Sequence, residues 1–496
     1  AELVQAHLIG PRERRRHPRK PNSRDEMLDR PSAPLLSSLS RLLNLCTNIR
    51  QLKQIHSQIL TSSHLDPHST SSLLTRLLFS LTSASPSPSS LSYAFSLFNL
   101  IPSPTLFAYN AIIRAHSNSH LSRSISLYSR MLASQTRPDY LTFPFLIKCC
   151  SLHRNPLTGQ ALHGHAIKFG FRADVFINNS LIFMYSACML IDLARKVFDE
   201  ILVKNAVCVN SLLNGYIERK QWADGISLVR GMRRLRLEPD ELTLCGVLRI
   251  CAEAAILGLG VQAHAYLVRR VRCAENDMFL LSSLVEMYGK CGLVDRARLV
   301  FDLAGWQQKG IGRDVVMWTS MLNAYSRNGM FSDVIRVFEE MLVEKTKPDE
   351  LVFLVVLSAC GRSGNVTKGL EFLELMGKDC TLVPGPEHYG CVADMLCKAG
   401  ELDMAWKFVS KMLVEEDDGG GSRLGVSVWG TILSACRHCG NVEIGKIAAL
   451  KALELEPHNV GIYMELSNLY ARQGMWHDIV ELRNVMKERG LKKHVG

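Results

Sequence analysis

Three stretches of the chain nearly repeat one another, and this repetition limits the fold more than any other feature. They read FMYSACMLIDLARKVF, EMYGKCGLVDRARLVF and DMLCKAGELDMAWKFV, and they begin at residues 183, 286 and 394, which are 103 and then 108 residues apart. A long, nearly fixed period is typical of units that bury their apolar faces only by stacking on their neighbours. The sequence therefore predicts an extended solenoid instead of a globule with one core, and it places function along a surface.

A second set of repeats has the pattern of a helical pair followed by a stop. In each copy two amphipathic stretches are joined by a short segment, and the copy ends in x-Pro-Asp. In the third copy Gly329 separates the two apolar faces and Pro348 stops the second helix, because proline lacks the amide hydrogen that a continuing helix donates. The three copies span 109–139, 209–240 and 318–349.

A third set begins at Cys150, Cys251 and Cys360. Each copy has a glycine nine positions later, namely Gly159, Gly260 and Gly369. In the middle copy Gly258 and Gly260 loosely match a nucleotide-binding loop, but no strand precedes them, and we expect an inter-helix turn there. The three sets follow one another in a fixed order that is completed three times from about residue 106, after an incomplete pair at 35–105.

Composition adds a preference for one kind of partner. The chain has 496 residues with 58 Lys and Arg against 47 Asp and Glu, a formal net charge of +11 that is spread along its length. A diffuse basic field favours a polyanionic partner, although a basic protein without such a partner has the same composition. The fifteen cysteines recur inside helical patterns, so we expect small buried thiols and no disulfides. No uncharged apolar run is long enough for a transmembrane helix.

The x-Pro-Asp endings, the MY…CG…A…VF units and the triplet order together resemble a plant pentatricopeptide repeat protein of the subclass that alternates P, L and S motifs. The resemblance implies an all-α, right-handed solenoid, or superhelix, of helix-turn-helix repeats. Residues 432–449 repeat 356–373, and 462–491 have the pattern of a tetratricopeptide-like hairpin. These last segments resemble the extension (E) motifs of the editing branch of the family.

We accordingly divide the chain into four segments. Residues 1–34 are a basic tail with a candidate targeting segment, 35–105 are degenerate L and S repeats, 106–425 are three P-L-S triplets, and 426–496 are the extension motifs. An inserted loop, EEDDGGGSR at 415–423, precedes the extension motifs, and its composition is that of a flexible linker.

In this family the fifth and last residues of a repeat hydrogen-bond one unstacked RNA base through amide, hydroxyl or carboxylate groups, which are sorted donors and acceptors. The resemblance implies uracil for Asn110 with Asp139 and for Asn210 with Asp240, a pyrimidine for Asn179 with Asn205, and guanine for Ser282 with Asp314 and for Thr319 with Asp349. The L repeats and the last S repeat lack a matching fifth residue, having Pro144, Cys245, Leu354 and Gly390 there.

The second residue of the same five repeats is apolar, namely Phe107, Phe176, Val207, Phe279 and Val316. Such side chains can wedge between bases and hold them apart. The alternative is purely structural, because polar residues near a helix start usually cap it and single apolar residues usually belong to the core. Agreement across five repeats favours recognition. We call the RNA sequence that the successive repeats are predicted to bind the address. With the N-terminus toward the RNA 5′ end, as the family implies, the address from the first P repeat onward is U, unassigned, C or U, U, unassigned, G, G and two further unassigned positions.

The sequence contains no recognisable catalytic set. The editing branch of the family often carries a zinc cytidine deaminase domain, which needs His-x-Glu and Pro-Cys-x-x-Cys. None of the sixteen histidines is followed two residues later by Glu, and the one Cys-x-x-Cys, from Cys436 to Cys439, is half a zinc site at most. We expect no enzymatic activity, cofactor or metal. Family members with a deaminase continue past a segment like 487–496, so either a deaminase is supplied separately or this chain is truncated, and our hypothesis takes the first alternative.

The resulting hypothesis is a sequence-specific single-stranded RNA-binding protein that selects sites in organelle transcripts for C-to-U editing. A separately encoded DYW-type deaminase and accessory editing factors would be its partners, and no membrane is involved. Two alternatives stay open: an RNA processing or stabilisation factor without editing, and a protein-binding helical-repeat scaffold. The resemblance implies import into an organelle, with the mitochondrion favoured over the chloroplast.

Overall fold

The computed structural model describes residues 32–46, 48–62, 66–83, 88–270, 277–307, 313–378, 380, 382–416 and 425–491, and in these ranges the chain consists of helices, turns and short connections. The predicted all-α class is therefore confirmed. The basic tail up to residue 31 and residues 417–424, which include most of the inserted loop, lie outside the described residues.

The helices are α1 (Ser32–Leu45), α2 (Ile49–Thr61), α3 (Pro67–Ser83), α4 (Pro88–Asn99), α5 (Leu106–His116), α6 (Leu121–Ala133), α7 (Thr142–Leu152), α8 (Pro156–Lys168), α9 (Val175–Ala187), α10 (Ile191–Glu200), α11 (Ala206–Glu218), α12 (Trp222–Met232), α13 (Glu241–Glu253), α14 (Leu257–Arg270), α15 (Met278–Lys290), α16 (Val294–Gln307), α17 (Val315–Arg327), α18 (Phe331–Val343), α19 (Glu350–Ser363), α20 (Val366–Lys378), α21 (Pro386–Lys398), α22 (Leu402–Glu416), α23 (Val426–Cys439), α24 (Val442–Leu455), α25 (Val460–Arg472) and α26 (Trp476–Glu488).

The chain divides into two compact units, Ala1–His153 with α1 to α7 and Arg154–Gly496 with α8 to α26. This boundary falls between two helices of one L repeat. The four segments that we derived from the sequence follow repeat type instead, and they remain a prediction.

Within each unit the helices form two layers of stacked hairpins. From α9 to α25 every odd-numbered helix packs against the next odd-numbered helix, and each even-numbered helix packs against its odd-numbered neighbours in the chain. The helices α1 to α7 of the first unit follow the same rule. Every hairpin thus contacts only its neighbours, which confirms the predicted solenoid of helix-turn-helix repeats.

The core runs through successive hairpins because each repeat places large apolar side chains on the faces between the layers. Met321, Leu322, Phe338 and Met341 are fully buried, as their spacing predicts. At the junction between an S and a P repeat, the rings of Phe301 and Trp318 meet edge to face, with centroids 4.9 Å apart. One buried cluster spans Leu244 to Ala405, and another spans Tyr389 to Ile479.

The hairpin turn of the third P repeat lies where the sequence predicts it. Helix α17 ends at Arg327 and α18 begins at Phe331, and Gly329 between them has φ of +75°. Glycine adopts this left-handed conformation without a steric penalty. In the second P repeat Lys220 occupies the equivalent position with φ of +56°.

The recurrent glycines of the L repeats have a packing role. A Cβ on Gly159, Gly260 or Gly369 would lie 2.6, 2.5 or 2.5 Å from the buried thioether of Met184, Met287 or Met395 in the next odd-numbered helix. Helix and helix approach closely there because no side chain intervenes. The prediction that Gly258 and Gly260 form an inter-helix turn is wrong, since both lie in the first turn of α14.

The cysteines that begin the L repeats are core residues. Cys150, Cys251 and Cys360 are fully buried, as expected. Burial raises the pKa of the Cys360 thiol to about 11, so this thiol stays protonated and acts as a small apolar group. Within the described ranges, no helix combines the length and the apolarity that crossing a bilayer requires.

Candidate nucleic-acid interface

The predicted wedge residues all lie on the first turn of an odd-numbered helix and point away from the core. Phe107, Phe176, Val207, Phe279 and Val316 are between 52% and 69% exposed. The corresponding residues of the L repeats, Leu141, Leu242 and Leu351, are exposed as well. Core packing, which was the structural alternative for these five residues, is therefore excluded, and each unit carries a row of exposed apolar side chains along its odd-numbered helices.

The last residue of each assigned repeat bonds an amide in the first turn of the next odd-numbered helix, as the structural alternative required for polar residues. Four of the five are the N-cap of that helix, whereas Asp139 lies two residues before the N-cap Leu141. The side chains of Asp139, Asn205, Asp240, Asp314 and Asp349 accept the backbone N–H of Thr142, Cys208, Thr243, Met317 and Val352 at 2.8 to 2.9 Å. Such a cap satisfies one amide of the first helical turn. The same bond fixes the position of each of these side chains at the start of a helix.

In the first two P repeats the fifth and last residues are directly bonded. Asn110 Nδ2 donates to Asp139 Oδ1 at 3.0 Å, and Asn210 Nδ2 donates to both carboxylate oxygens of Asp240 at 2.9 and 3.1 Å. The structure thus brings together both residue pairs that the resemblance implies for uracil. Each amide retains a second N–H, and each carboxylate retains lone pairs, for a further partner.

The Asp240 carboxyl is held in its ionised form. Burial alone would raise its pKa, but hydrogen bonds from Asn210 and Thr243 outweigh burial and hold the pKa below its usual value. The group is consequently a pure acceptor at neutral pH and can meet only a donor on a ligand.

The other three fifth residues are arranged differently. Ser282 and Thr319 each donate to a carbonyl one turn earlier in their own helix, at 2.7 Å, and leave the hydroxyl oxygen as an acceptor. Asn179 Oδ1 is shielded from solvent and has no hydrogen-bond partner. Among the described contacts, none joins these three residues to the last residue of their own repeat.

A cleft of about 260 Å³ lies at the third P repeat. It brings together three predicted residues, Val316, Thr319 and Asp349, and it is also lined by Leu351, the second residue of the next repeat. Val316 and Leu351, the second residues of two successive repeats, therefore surround one space together with Thr319 and Asp349, the two candidate base-reading residues. A planar RNA base fits this geometry, because its faces can contact the apolar side chains while its polar edge meets the polar ones.

A larger cleft of about 870 Å³ in the first unit has the same plan, and sequence reasoning missed it. His68, Ser71 and Thr105 take the second, fifth and last positions of the degenerate S repeat, and Phe107 forms the next wall. The signal was present, because SSLL at 71–74 matches SSLV at 282–285 around Ser282. The sequence predicts the repeat itself within 35–105, but no base-reading residues were assigned to it because it lacks the family's usual residues at its end.

Basic side chains lie beside both clefts. Arg327 lines the smaller cleft and Arg76 the larger; both are exposed, and neither has an ion pair among the described residues. Lys290 also lines the smaller cleft, but Glu253 and Glu286 neutralise it at 2.6 and 2.5 Å. The unpaired guanidinium groups are therefore the cations that can meet an anionic backbone.

The Cys436–Cys439 pair lies at the end of α23, where Cys436 is buried and Cys439 is exposed. Burial, with smaller contributions from Cys397 and Cys439, raises the pKa of the Cys436 thiol to about 12, which opposes the thiolate that a metal requires. No cluster of three or more His, Cys, Asp or Glu side chains suited to a metal occurs in the part of the chain that the structure describes.

Known families match several of these repeats. The E motif family matches residues 439–496, the PPR repeat family matches 313–362, and the PPR repeat matches 207–237, 352–380 and 387–416. A pentatricopeptide repeat-containing protein of Arabidopsis thaliana is 33% identical, over 92% of this chain and 72% of that protein. The chain belongs to the pentatricopeptide repeat family.

A second pentatricopeptide repeat protein of Arabidopsis thaliana, named as chloroplastic/mitochondrial, is 32% identical, over 92% of this chain and 70% of that protein. Among solved structures, the pentatricopeptide repeat protein PPR10 from maize is similar with a TM-score of 0.34 and 15% identity, over 93% of this chain and 90% of that one. The matched repeats include α17 and the start of α19, which line the smaller cleft together with α15, and the E motif includes α24 to α26.

Proposed function

We propose that this pentatricopeptide repeat protein binds single-stranded RNA in a sequence-specific manner and selects sites in organelle transcripts for C-to-U editing, with a deaminase supplied in trans. The observation that carries the proposal is the cleft between Val316 and Leu351, because it combines apolar walls with two candidate readers in one repeat. Exposed wedge residues at the same position of successive repeats extend this arrangement along each unit.

The proposed address has U at the first and fourth positions, opposite Asn110 and Asn210. It has C or U at the third, opposite Asn179, and G at the sixth and seventh, opposite Ser282 and Thr319. Support comes from the direct bonds of Asn110 and Asn210 to their repeat-ending aspartates. An amide N–H beside a carboxylate oxygen offers a donor next to an acceptor, which matches the O4 and N3–H edge of uracil.

The decisive test of the address is the variant Asn210→Thr. Because threonine with aspartate is the combination proposed for guanine, we expect the preference at the fourth position to move from U toward G by about tenfold, the size of one or two net hydrogen bonds. Electrophoretic mobility shifts with RNAs that differ only at this position measure the change. The matched control is Asn214→Thr, the same substitution one turn later on α11 at an exposed residue.

Unchanged relative affinities in Asn210→Thr would contradict the address. If wild-type protein bound no RNA with sequence preference, the protein-binding scaffold would be the better description.

The editing role rests on the E motif at 439–496. The hairpin α25–α26 carries Trp476 and Val480 one turn apart, 67% and 58% exposed, as an apolar surface for a deaminase or an accessory factor.

Plants that lack the protein should lose C-to-U conversion at a site that matches the address. Altered transcript ends or abundance without a conversion defect would favour the processing alternative. The same RNA sequencing shows whether the affected transcript is mitochondrial, which we favour, or chloroplastic, as the name of one relative also allows.

A further inference from the structure

Asn110 and Asn210, the two fifth residues proposed to bind uracil, are each connected to the following repeat by one buried threonine. Thr142 Oγ1 lies 2.8 Å from Asn110 Oδ1, and Thr243 Oγ1 lies 2.7 Å from Asn210 Oδ1. Both threonines are fully buried, and each is the third residue of the next L repeat. The Thr142 hydroxyl also lies 2.8 Å from Asp139 Oδ1, and the Thr243 hydroxyl 2.7 Å from Asp240 Oδ1. Because both oxygens only accept, each threonine shares its one hydroxyl proton between them.

These contacts fix the direction of the reading amide. Asn210 Nδ2 faces the Asp240 carboxylate and its Oδ1 faces the Thr243 hydroxyl, so the reversed amide would place oxygen against carboxylate and NH₂ against hydroxyl. The aspartate opposes this reversal, and the threonine hydroxyl, which lies 2.7 Å from both Asn210 Oδ1 and Asp240 Oδ1, ties the amide oxygen to the carboxylate in one network. The reader is left with one N–H, a donor, for a base.

After the other fifth residues, the third residue of the following repeat is not threonine. After Asn179 the third residue of the next repeat is Cys208, whose thiol donates to the Asn205 carbonyl, and Asn179 Oδ1 stays buried without a partner. After Thr319 the residue is Val352, which has no hydroxyl. Threonine thus follows the two asparagines that pair with an aspartate, and it is absent after Asn179 and after Thr319.

We propose that Thr142 and Thr243 are specificity-determining positioning residues, which make the preceding asparagine distinguish uracil from cytosine by holding its amide in one orientation. The proposal rests on the proposed function. In one pose, uracil presents N3–H and O4 where cytosine presents N3 and N4–H₂, with donor and acceptor exchanged. A fixed amide donor beside a fixed carboxylate acceptor matches uracil, and a reversible amide accepts either pyrimidine. The unpartnered Asn179 is accordingly the reader to which the address assigns C or U.

The test compares Thr243→Val with Thr243→Ser. Valine has the shape of threonine without its hydroxyl, whereas serine keeps the hydroxyl. We expect Thr243→Val to reduce the preference for U over C at the fourth RNA position by about 3- to 10-fold, the size of one net hydrogen bond, and Thr243→Ser to restore it. Preferences at the other positions should stay unchanged. Equilibrium binding to RNAs with U or C at each position gives these ratios, and circular dichroism confirms folding.

Two further variants sharpen the result. Cys208→Thr supplies a donor to Asn179 Oδ1, so it should raise the U over C ratio at the third position. Val352→Thr places the same hydroxyl beside Thr319, where no amide needs orienting, and should change no pyrimidine ratio.

A wild-type protein without U over C preference at the fourth position would overturn the proposed address, and this inference with it. Wild-type discrimination that survives intact in Thr243→Val would overturn the positioning role alone. A uniform loss of affinity for all RNAs, with the U over C ratio kept, would likewise make the threonine a merely structural residue.

Discussion

Single residues on the proposed interface combine two roles that the sequence presents as alternatives. Asp240 caps α13 through the Thr243 amide and also binds the Asn210 amide. A helix cap and a base reader have the same chemistry, because both need a short side chain with an exposed oxygen. The capping geometry therefore supports the reading role instead of excluding it, since it holds the carboxylate at a fixed place.

At the same scale, the wedge residues are expected to contribute affinity without sequence preference. Phe279→Ala removes a ring that is 60% exposed, so RNA affinity should fall by about 1 to 3 kcal/mol for every sequence while the melting temperature stays close to wild type. Fluorescence anisotropy and thermal melts measure the two effects. The control is Leu202→Ala, at an apolar residue that is 94% exposed and lies between α10 and α11. Equal losses in the two variants would contradict the stacking role.

At the scale of elements, the close approach of α14 to α15 predicts an asymmetric response to alanine. In Gly260→Ala the new methyl meets the Met287 thioether at 2.5 Å, so the free energy of unfolding should fall by about 1 to 3 kcal/mol. Gly258→Ala is the matched control on the same helix, because no atom lies within 4 Å of its Cβ position. Denaturant titration compares them. A Gly260→Ala protein as stable as Gly258→Ala would show that Met287 readily moves aside.

How far the elements could be predicted depended on whether their signal was local. The hairpins, the turn at Gly329 and the buried cysteines follow from periodicity and turn chemistry within one repeat. Gly260 was assigned to a turn because its partner, Met287, belongs to another helix. The Asn210–Thr243 bond was missed for the same reason, since it joins residues 33 positions apart in different repeats. Contacts between repeats decide the details of the site, and the partner in such a contact cannot be identified from the pattern of one repeat alone.

At the scale of the whole molecule, the net charge of +11 predicts RNA binding that weakens with salt. Arg327→Ala should reduce affinity for all RNA sequences about equally and lower the slope of log K against log salt by about 0.7, the contribution of one phosphate contact to a single strand. Arg336→Ala is the control, because its guanidinium is exposed and already paired with Asp333 at 2.6 Å. A slope unchanged by Arg327→Ala would remove this residue from the phosphate path.

The shared role of the capping aspartates bears on how such a protein acquires new targets. Replacing Asp240 changes the base that its repeat is proposed to prefer. The substitution also removes a helix cap, so it lowers the free energy of unfolding by about 1 kcal/mol. Thr319 bonds only its own helix backbone, and a change there leaves the neighbouring helix intact. Descendants of this gene should therefore drift toward new transcripts mainly through fifth residues, while the residues that end each repeat stay under selection for stability.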